Sequence, residues 1–194
     1  RFDEAKSAKE MSVHFIDVGQ GDSILVQSPN GKTMLIDGGA RATGNELVKY
    51  IKAQGIKKLD YVVATHPDAD HIGGLIAVLN SISIGEFINS GKAHTTDTYE
   101  QMLQLILSKN IKYTEPKTGG LIGLDKDLTV QVLHVDANNM DNNDASIVLK
   151  ATYNNVAFLL TGDAGKEIEE SLLGKYNVAS TILKAGHHGS NTSS

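Results

Sequence analysis

The sequence predicts a layered α/β domain, and three observations predict it. Short β-rich segments punctuated by turn residues open the chain. A strand–helix–strand–loop–helix order follows between Thr33 and Leu79. Three apolar strands, at 61–64, 156–160 and 181–184, then run into His or Asp at their C-terminal ends. In layered α/β folds, sites form at such strand ends.

Composition bounds the rest. With 194 residues and 40% hydrophobic content, the chain fits one domain with a sizeable core. Aromatics make up 5% and Trp is absent, so Val, Ile and Leu must fill that core. Cysteine is absent, which excludes disulfides and thiolate sites and leaves N and O ligands for any metal. The formal net charge of −5 argues against a broad basic face for nucleic acid. It does not exclude a nuclease, because metal ions can hold a phosphate themselves. No apolar run is long enough to span a bilayer. Residues 1–10 are polar and patternless, a linker or edge and not a signal peptide, since they lack an apolar stretch. Residues 11–194 form the expected single domain. The natural chain is expected to begin earlier.

Each element follows from its pattern. Residues 13–17 alternate as a strand, and 18–22 turn with two glycines. Residues 23–27 resume a strand, Pro29-Asn30-Gly31 signals a hairpin, and 33–37 return. This is a meander, so Gly19-x-Gly21 is weak as a phosphate signal: the third Gly and the following helix are missing. Asn45 is the expected N-cap of a helix carrying Leu47, Val48, Ile51 and Ala53 and stopped by Gly55. Residues 61–64 read as a buried strand. Ile72, Leu75, Ile76 and Leu79 carry a helical pattern. Residues 84–88 are a short strand, 89–96 a polar loop with His94, and 99–108 a helix. His94 is either a surface histidine or a phosphate contact. Residues 128–135 form a strand on which His134 reads as structural. The Asn/Asp-rich loop 138–144 leads to the strand 147–151, Asn154-Asn155 turns into 156–160, and 166–173 reads as a helix.

The chemistry concentrates in Thr65-His66-Pro67-Asp68-Ala69-Asp70-His71-Ile72-Gly73-Gly74. Two imidazoles and two carboxylates within six residues, between a strand end and a helix start, are the donor types of Zn2+, Mn2+ or Fe sites. Asp163, in Thr161-Gly162-Asp163-Ala164, ends another strand; it is either a ligand or an N-cap for the next helix. His187 and His188, in Ala185-Gly186-His187-His188-Gly189-Ser190, end the last.

His66-x-Asp68-x-Asp70-His71-x-Gly73-Gly74 resembles the signature of the metallo-β-lactamase-fold hydrolases. Asp68 stands where the usual signature has His. That variant, with Asp17-Val18-Gly19-Gln20-Gly21-Asp22 upstream, is similar to the hydrolase domain of ComEC-like DNA-uptake proteins and their secreted relatives. The resemblance spans about Val13 to Ser190. It implies a four-layer αβ/βα sandwich, two mixed sheets flanked by helices, lacking its C-terminal edge. It also implies that Gln20 and Asp22 face the active-site side and that Asp37 is a buried carboxylate behind the metal loop. By the same resemblance Asp163 bridges two ions, and His187 is the final ligand. His188 is then a second ligand or a contact to the leaving oxygen. The usual third His of the first ion is missing; Asn143-Asp144-Ala145-Ser146 occupies its place.

The expected chemistry is a metal-dependent hydrolase. His66 and Asp68 hold one divalent ion, Asp70, His71 and His187 a second, and Asp163 lies between. Two ions about 3.5–4 Å apart would clamp a bridging hydroxide as nucleophile. Asp70, Asp163 and His188 are the catalytic candidates. Asp68 and the missing His favour Mn2+ over Zn2+. The expected substrate is DNA, cleaved as a phosphodiester. One alternative is a phosphocholine esterase or other small phosphodiesterase, and another is a silent binding module. The resemblance places the domain outside the cell or on its surface; a cytoplasmic location stays open, as does the oligomeric state.

Overall fold

The computed structural model describes residues 10–194. The linker expected at 1–10 lies outside the described residues except for Glu10. The first sheet holds β1 (Ser12–Phe15), β2 (Ile24–Gln27), β3 (Thr33–Ile36), β4 (Lys58–Ala64), β5 (Ser83–Asn89) and β6 (Lys112–Thr114), in sequence order. β1, β2 and β3 pair antiparallel, and β3 to β6 pair parallel. The second sheet runs β11 (Ile182–Lys184), β10 (Val156–Leu160), β9 (Val148–Tyr153), β8 (Leu128–His134) and β7 (Leu121–Asp125). Only its β10–β11 pair is parallel.

Strand periodicity explains the layering. Side chains alternate faces along a strand, and sheets covered on both sides carry near-continuous apolar runs. Leu25, Leu35 and Val62 face one way, into a core closed by α1 (Gly44–Ala53), α3 (Leu75–Ser81) and α4 (Asp97–Ser108). Their neighbours Val26, Met34 and Val63 face the other way, into a core shared with Val130, Leu149 and Leu160 of the second sheet. A smaller cluster with Leu133, Val148 and Leu172 lies under α5 (Lys166–Leu173). Two mixed sheets flanked by helices are the four-layer sandwich that the resemblance implies.

Several boundaries differ from the sequence expectation. The first helix begins at Gly44 and not after Asn45, continuing a 3-10 turn at Arg41–Thr43. A Cβ on Gly44 would sit 2.9 Å from that of Ala77, so glycine lets this helix start pack closely on α3. β4 extends back to Lys58, because Lys58 already pairs with Ser83. β6 and β7 were not expected: β6 is a three-residue, mostly exposed edge, and the β7 ladder shifts register between Ile122 and Asp125. The metal motif is not wholly loop, since Asp70 and His71 lie on a short helix, α2 (Ala69–Ile72). Gly73 and Gly74 separate it from α3. A Cβ on Gly74 would meet the Gly38 carbonyl oxygen at 2.0 Å, so only glycine lets this turn pass the end of β3.

Candidate metal centre

Both sheets deliver donors to one place. The end of β4 and α2 supply His66, Asp68, Asp70 and His71. The ends of β10 and β11 supply Asp163 and His188, and the β1–β2 turn supplies Gln20 and Asp22. Three imidazoles surround one oxygen, Oδ2 of Asp163. His188 Nε2 lies 3.1 Å from it, His71 Nε2 3.2 Å and His66 Nε2 3.9 Å. His71 and His188 bring their Nε2 atoms to 3.3 Å. Asp68 Oδ2 is 3.8 Å from His66 Nε2, and Asp70 Oδ2 is 3.8 Å from His188 Nε2. One donor atom each from Asp22, His71, Asp163 and His188 all fall within 4.8 Å of one another.

A buried hydrogen-bond network fixes these groups. Asp37, fully buried and left-handed at φ 56°, accepts from the Thr65 N–H at 2.8 Å and the Thr65 hydroxyl at 2.6 Å. It also accepts from His71 Nδ1 at 2.9 Å, because a carboxylate can only accept and the ring must donate. That bond turns Nε2 of His71 toward Asp163. The Thr65 hydroxyl, its proton spent on Asp37, accepts from His66 Nδ1 at 3.0 Å. The Nε2 of His66 then carries a lone pair, buried and, among the described residues, without a hydrogen-bond partner. Such an orphan is costly unless something electrophilic fills it. A divalent ion fits this lone pair and the surrounding N and O donors.

Outer contacts complete the cage. Ser146 Oγ accepts from the Asp163 N–H at 3.1 Å and lies 3.4 Å from His66 Nδ1. Asn142 donates to Asp68 at 2.7 Å, and Gln20 to Asp70 at 3.2 Å. Lys184, its side chain 10% exposed, sits 2.7 Å from Asp22 and 3.5 Å from Asp163 Oδ1, and donates to the Gly162 carbonyl at 2.8 Å.

Burial and the charge of His71 push His66 down to about 4, so it is neutral. Burial works against a charged His71, but Asp37 and Asp163 outweigh it and raise the ring to about 10. Asp163 is held well below the usual carboxylate range: burial opposes its charge, and the hydrogen bond and charge of His71 prevail. Burial raises Asp22, against the pull of Lys184.

Not every expected residue is brought in. His187 points aside, with Nδ1 2.6 Å from Thr192 Oγ1 and Nε2 3.5 Å from Asn143 Nδ2. Both histidines are left-handed, at φ 42° and 54°, and this twisted turn sends His188, not His187, to Asp163. Asn143 therefore meets His187 and not the cluster. His94 is held by Thr96 at 3.1 Å on the 89–96 loop. The N-cap alternative for Asp163 fails, since Gly165 holds the cap position of α5. His134 is structural as expected, Nε2 donating to the Asp144 carbonyl at 2.8 Å. Gly21 has a steric use: a Cβ there would sit 1.8 Å from the Asp70 carbonyl oxygen. Lys184, Thr65 and Asn142 were not singled out from sequence. The signal for Lys184 was a charged residue at the end of an apolar strand, directly before Ala185-Gly186-His187-His188.

A four-layer sandwich with a His/Asp cage at the strand ends defines a class: the chain belongs to the metallo-beta-lactamase superfamily, whose model matches residues 16–194. Its relatives include ComE operon protein 3 of Bacillus subtilis, 30% identical over 94% of this chain and 26% of that protein. Competence protein ComA of Neisseria gonorrhoeae is 34% identical over 98% of this chain and 26% of that protein. The chain thus spans about a quarter of the length of these relatives, and the ComEC-like resemblance holds. Among solved structures, Zn2+-bound PqqB from Methylobacterium extorquens superposes with TM-score 0.61 at 11% identity, over 84% of this chain and 60% of that one. That likeness concerns the fold. Family and donor set together support a metal-dependent hydrolase in general terms. No described helix is long and apolar enough to cross a membrane.

Proposed function

We propose that this chain is a metal-dependent phosphodiesterase that cleaves DNA, working outside the cytoplasmic membrane as part of DNA uptake. The observation that carries the metal is the buried, unpartnered Nε2 of His66, facing Asp163 alongside His71 and His188. Two competence proteins among the relatives support DNA as the substrate. His66 and Asp68 would hold one ion and Asp70, His71 and His188 another, with Asp163 between. Asp68 in place of a His, and the missing third His of the first ion, favour Mn2+ over Zn2+. When bound, such ions activate water and offset the charge that builds on a phosphate. The chain's own residues prepare the site. Asp37 holds the Nδ1 proton and the direction of the His71 ring, Thr65 fixes the tautomer of His66, and Ser146 seats the backbone of Asp163.

A second reading keeps the site and changes the substrate to a small phosphodiester with a cationic group, such as a phosphocholine ester. One observation favours it: the groove beside Asp163 is walled by Asp141, Asp144, Glu167 and Glu170, with Lys166 as its cation. Such a wall suits a cation better than a DNA backbone. The test is metal analysis followed by Mn2+ titration with fluorescent single-stranded DNA and a chromogenic phosphodiester. Mn2+-dependent DNA cleavage supports the nuclease. Cleavage of only the small ester moves the assignment to the second reading. A protein without metal and without turnover is a binding module.

A further inference from the structure

Among the described residues Lys184 is the one lysine built into the cage, and nothing in the hydrolytic scheme uses it. Its ammonium takes Asp22 Oδ2 and the Gly162 carbonyl, and lies 3.5 Å from Oδ1 of Asp163. The other oxygen of that same carboxylate faces the three imidazoles. A fixed positive charge therefore stands one carboxylate away from the place proposed for the ions.

We propose that Lys184 is a tethered competitor cation, which compensates Asp22 and Asp163 when no metal is bound and weakens the hold on the metal when one is. The inference rests on the metal-centre reading above.

Two effects oppose each other, and the contacts decide between them. Like charges a few ångströms apart in a partly buried site repel strongly, and removing one tightens cation binding. Removing a lysine that orients ligands would loosen it. Orientation here depends little on Lys184. Asp37 holds His71, Thr65 holds His66, and Ser146 holds the backbone of Asp163. Lys184 also touches Oδ1 of Asp163 at 3.5 Å, but the oxygen that faces the imidazoles is the other one, Oδ2; through Asp22 it reaches His188, 3.5 Å away at Nδ1. Repulsion is the larger effect.

The test is calorimetric titration of the metal-free protein with Mn2+, comparing wild type, Lys184→Met and Lys184→Arg. Lys184→Met is expected to bind Mn2+ at least about tenfold more tightly, while Lys184→Arg, which keeps the charge, stays within about threefold of wild type. Thermal melts keep the idea falsifiable if the Met variant is weak. Its loss of Tm relative to wild type should shrink when Mn2+ is saturating, because the ion replaces the missing charge. A loss of equal or greater size with and without Mn2+, or unchanged or weaker Mn2+ binding, overturns the proposal while the metal centre stands. Absence of Mn2+ and Zn2+ binding by wild type overturns both.

Discussion

The Nδ1 of His71 lies 2.9 Å from Oδ2 of Asp37, and both side chains are closed to solvent. Asp37 serves Thr65 as well, so one carboxylate sets the direction of the loop and of its buried ring. Replacing it with Asn leaves a group that can also donate, and the Nδ1 proton and direction of the His71 ring are no longer enforced. Asp37→Asn is expected to lower metal affinity about 10–100-fold, the usual effect of losing such an orienting partner. Calorimetric titration with Mn2+ checks this.

Asp163 is the group common to all three imidazoles. Asp163→Asn keeps the shape and the backbone bond to Ser146 but removes the charge. Turnover should fall by about a hundred- to a thousandfold with the far-ultraviolet dichroism spectrum unchanged. Retained activity in a folded variant would sink the two-ion scheme.

The twin histidines separate cleanly. His188 meets Asp163, while His187 meets Thr192. His188→Ala should reduce bound metal in elemental analysis. His187→Ala should leave metal content at the wild-type level. The reverse result would show that the turn at Gly186–Gly189 rearranges when metal enters.

Chelation gives the broadest check. Dialysis against EDTA should remove turnover, and Mn2+ should restore more of it than Zn2+ at equal free concentration. Restoration by Zn2+ alone would contradict the preference drawn from Asp68.

Acid stability should report a site far from the metal cage. Burial alone would raise Asp125, but the Ser28 hydroxyl at 2.5 Å and the Asn30 amide at 2.6 Å, with backbone N–H groups, hold it well below the usual carboxylate range. A carboxyl lowered in the folded state stabilises fully above its unfolded value, about 3.9, and loses that contribution as pH falls below it. Wild type should therefore lose Tm more steeply than Asp125→Asn from about pH 5 downward. Parallel slopes would show that the anchor at Ser28 is not ion-dependent.

Much of this was legible because local pattern and tertiary role agree. Strands 24–27 and 33–36 are mostly apolar, bounded by turn residues and buried as their pattern demands, whereas 156–160 is buried only from Phe158 to Leu160, with Val156 exposed beside its turn. The HxDxDH stretch carries its donor types in the open. What escaped the sequence depends on neighbours. β6 is strand only because β5 offers an edge, through Phe87 opposite Tyr113. The choice of His188 over His187 rests on two left-handed residues, which no propensity announces. Lys184 reads as an ordinary surface lysine until the fold closes two carboxylates around it.

The first sheet carries His66, Asp68 and His71, and the second carries Asp163 and His188. A chain that has folded only one sheet holds half a cage, with contacts such as His71 to His188 spanning 117 positions still unmade. Such distant pairings form late, because their loop entropy is paid before they reward it. Cation binding would thus be withheld from nascent and half-folded chains, and its onset would time the docking of the two halves.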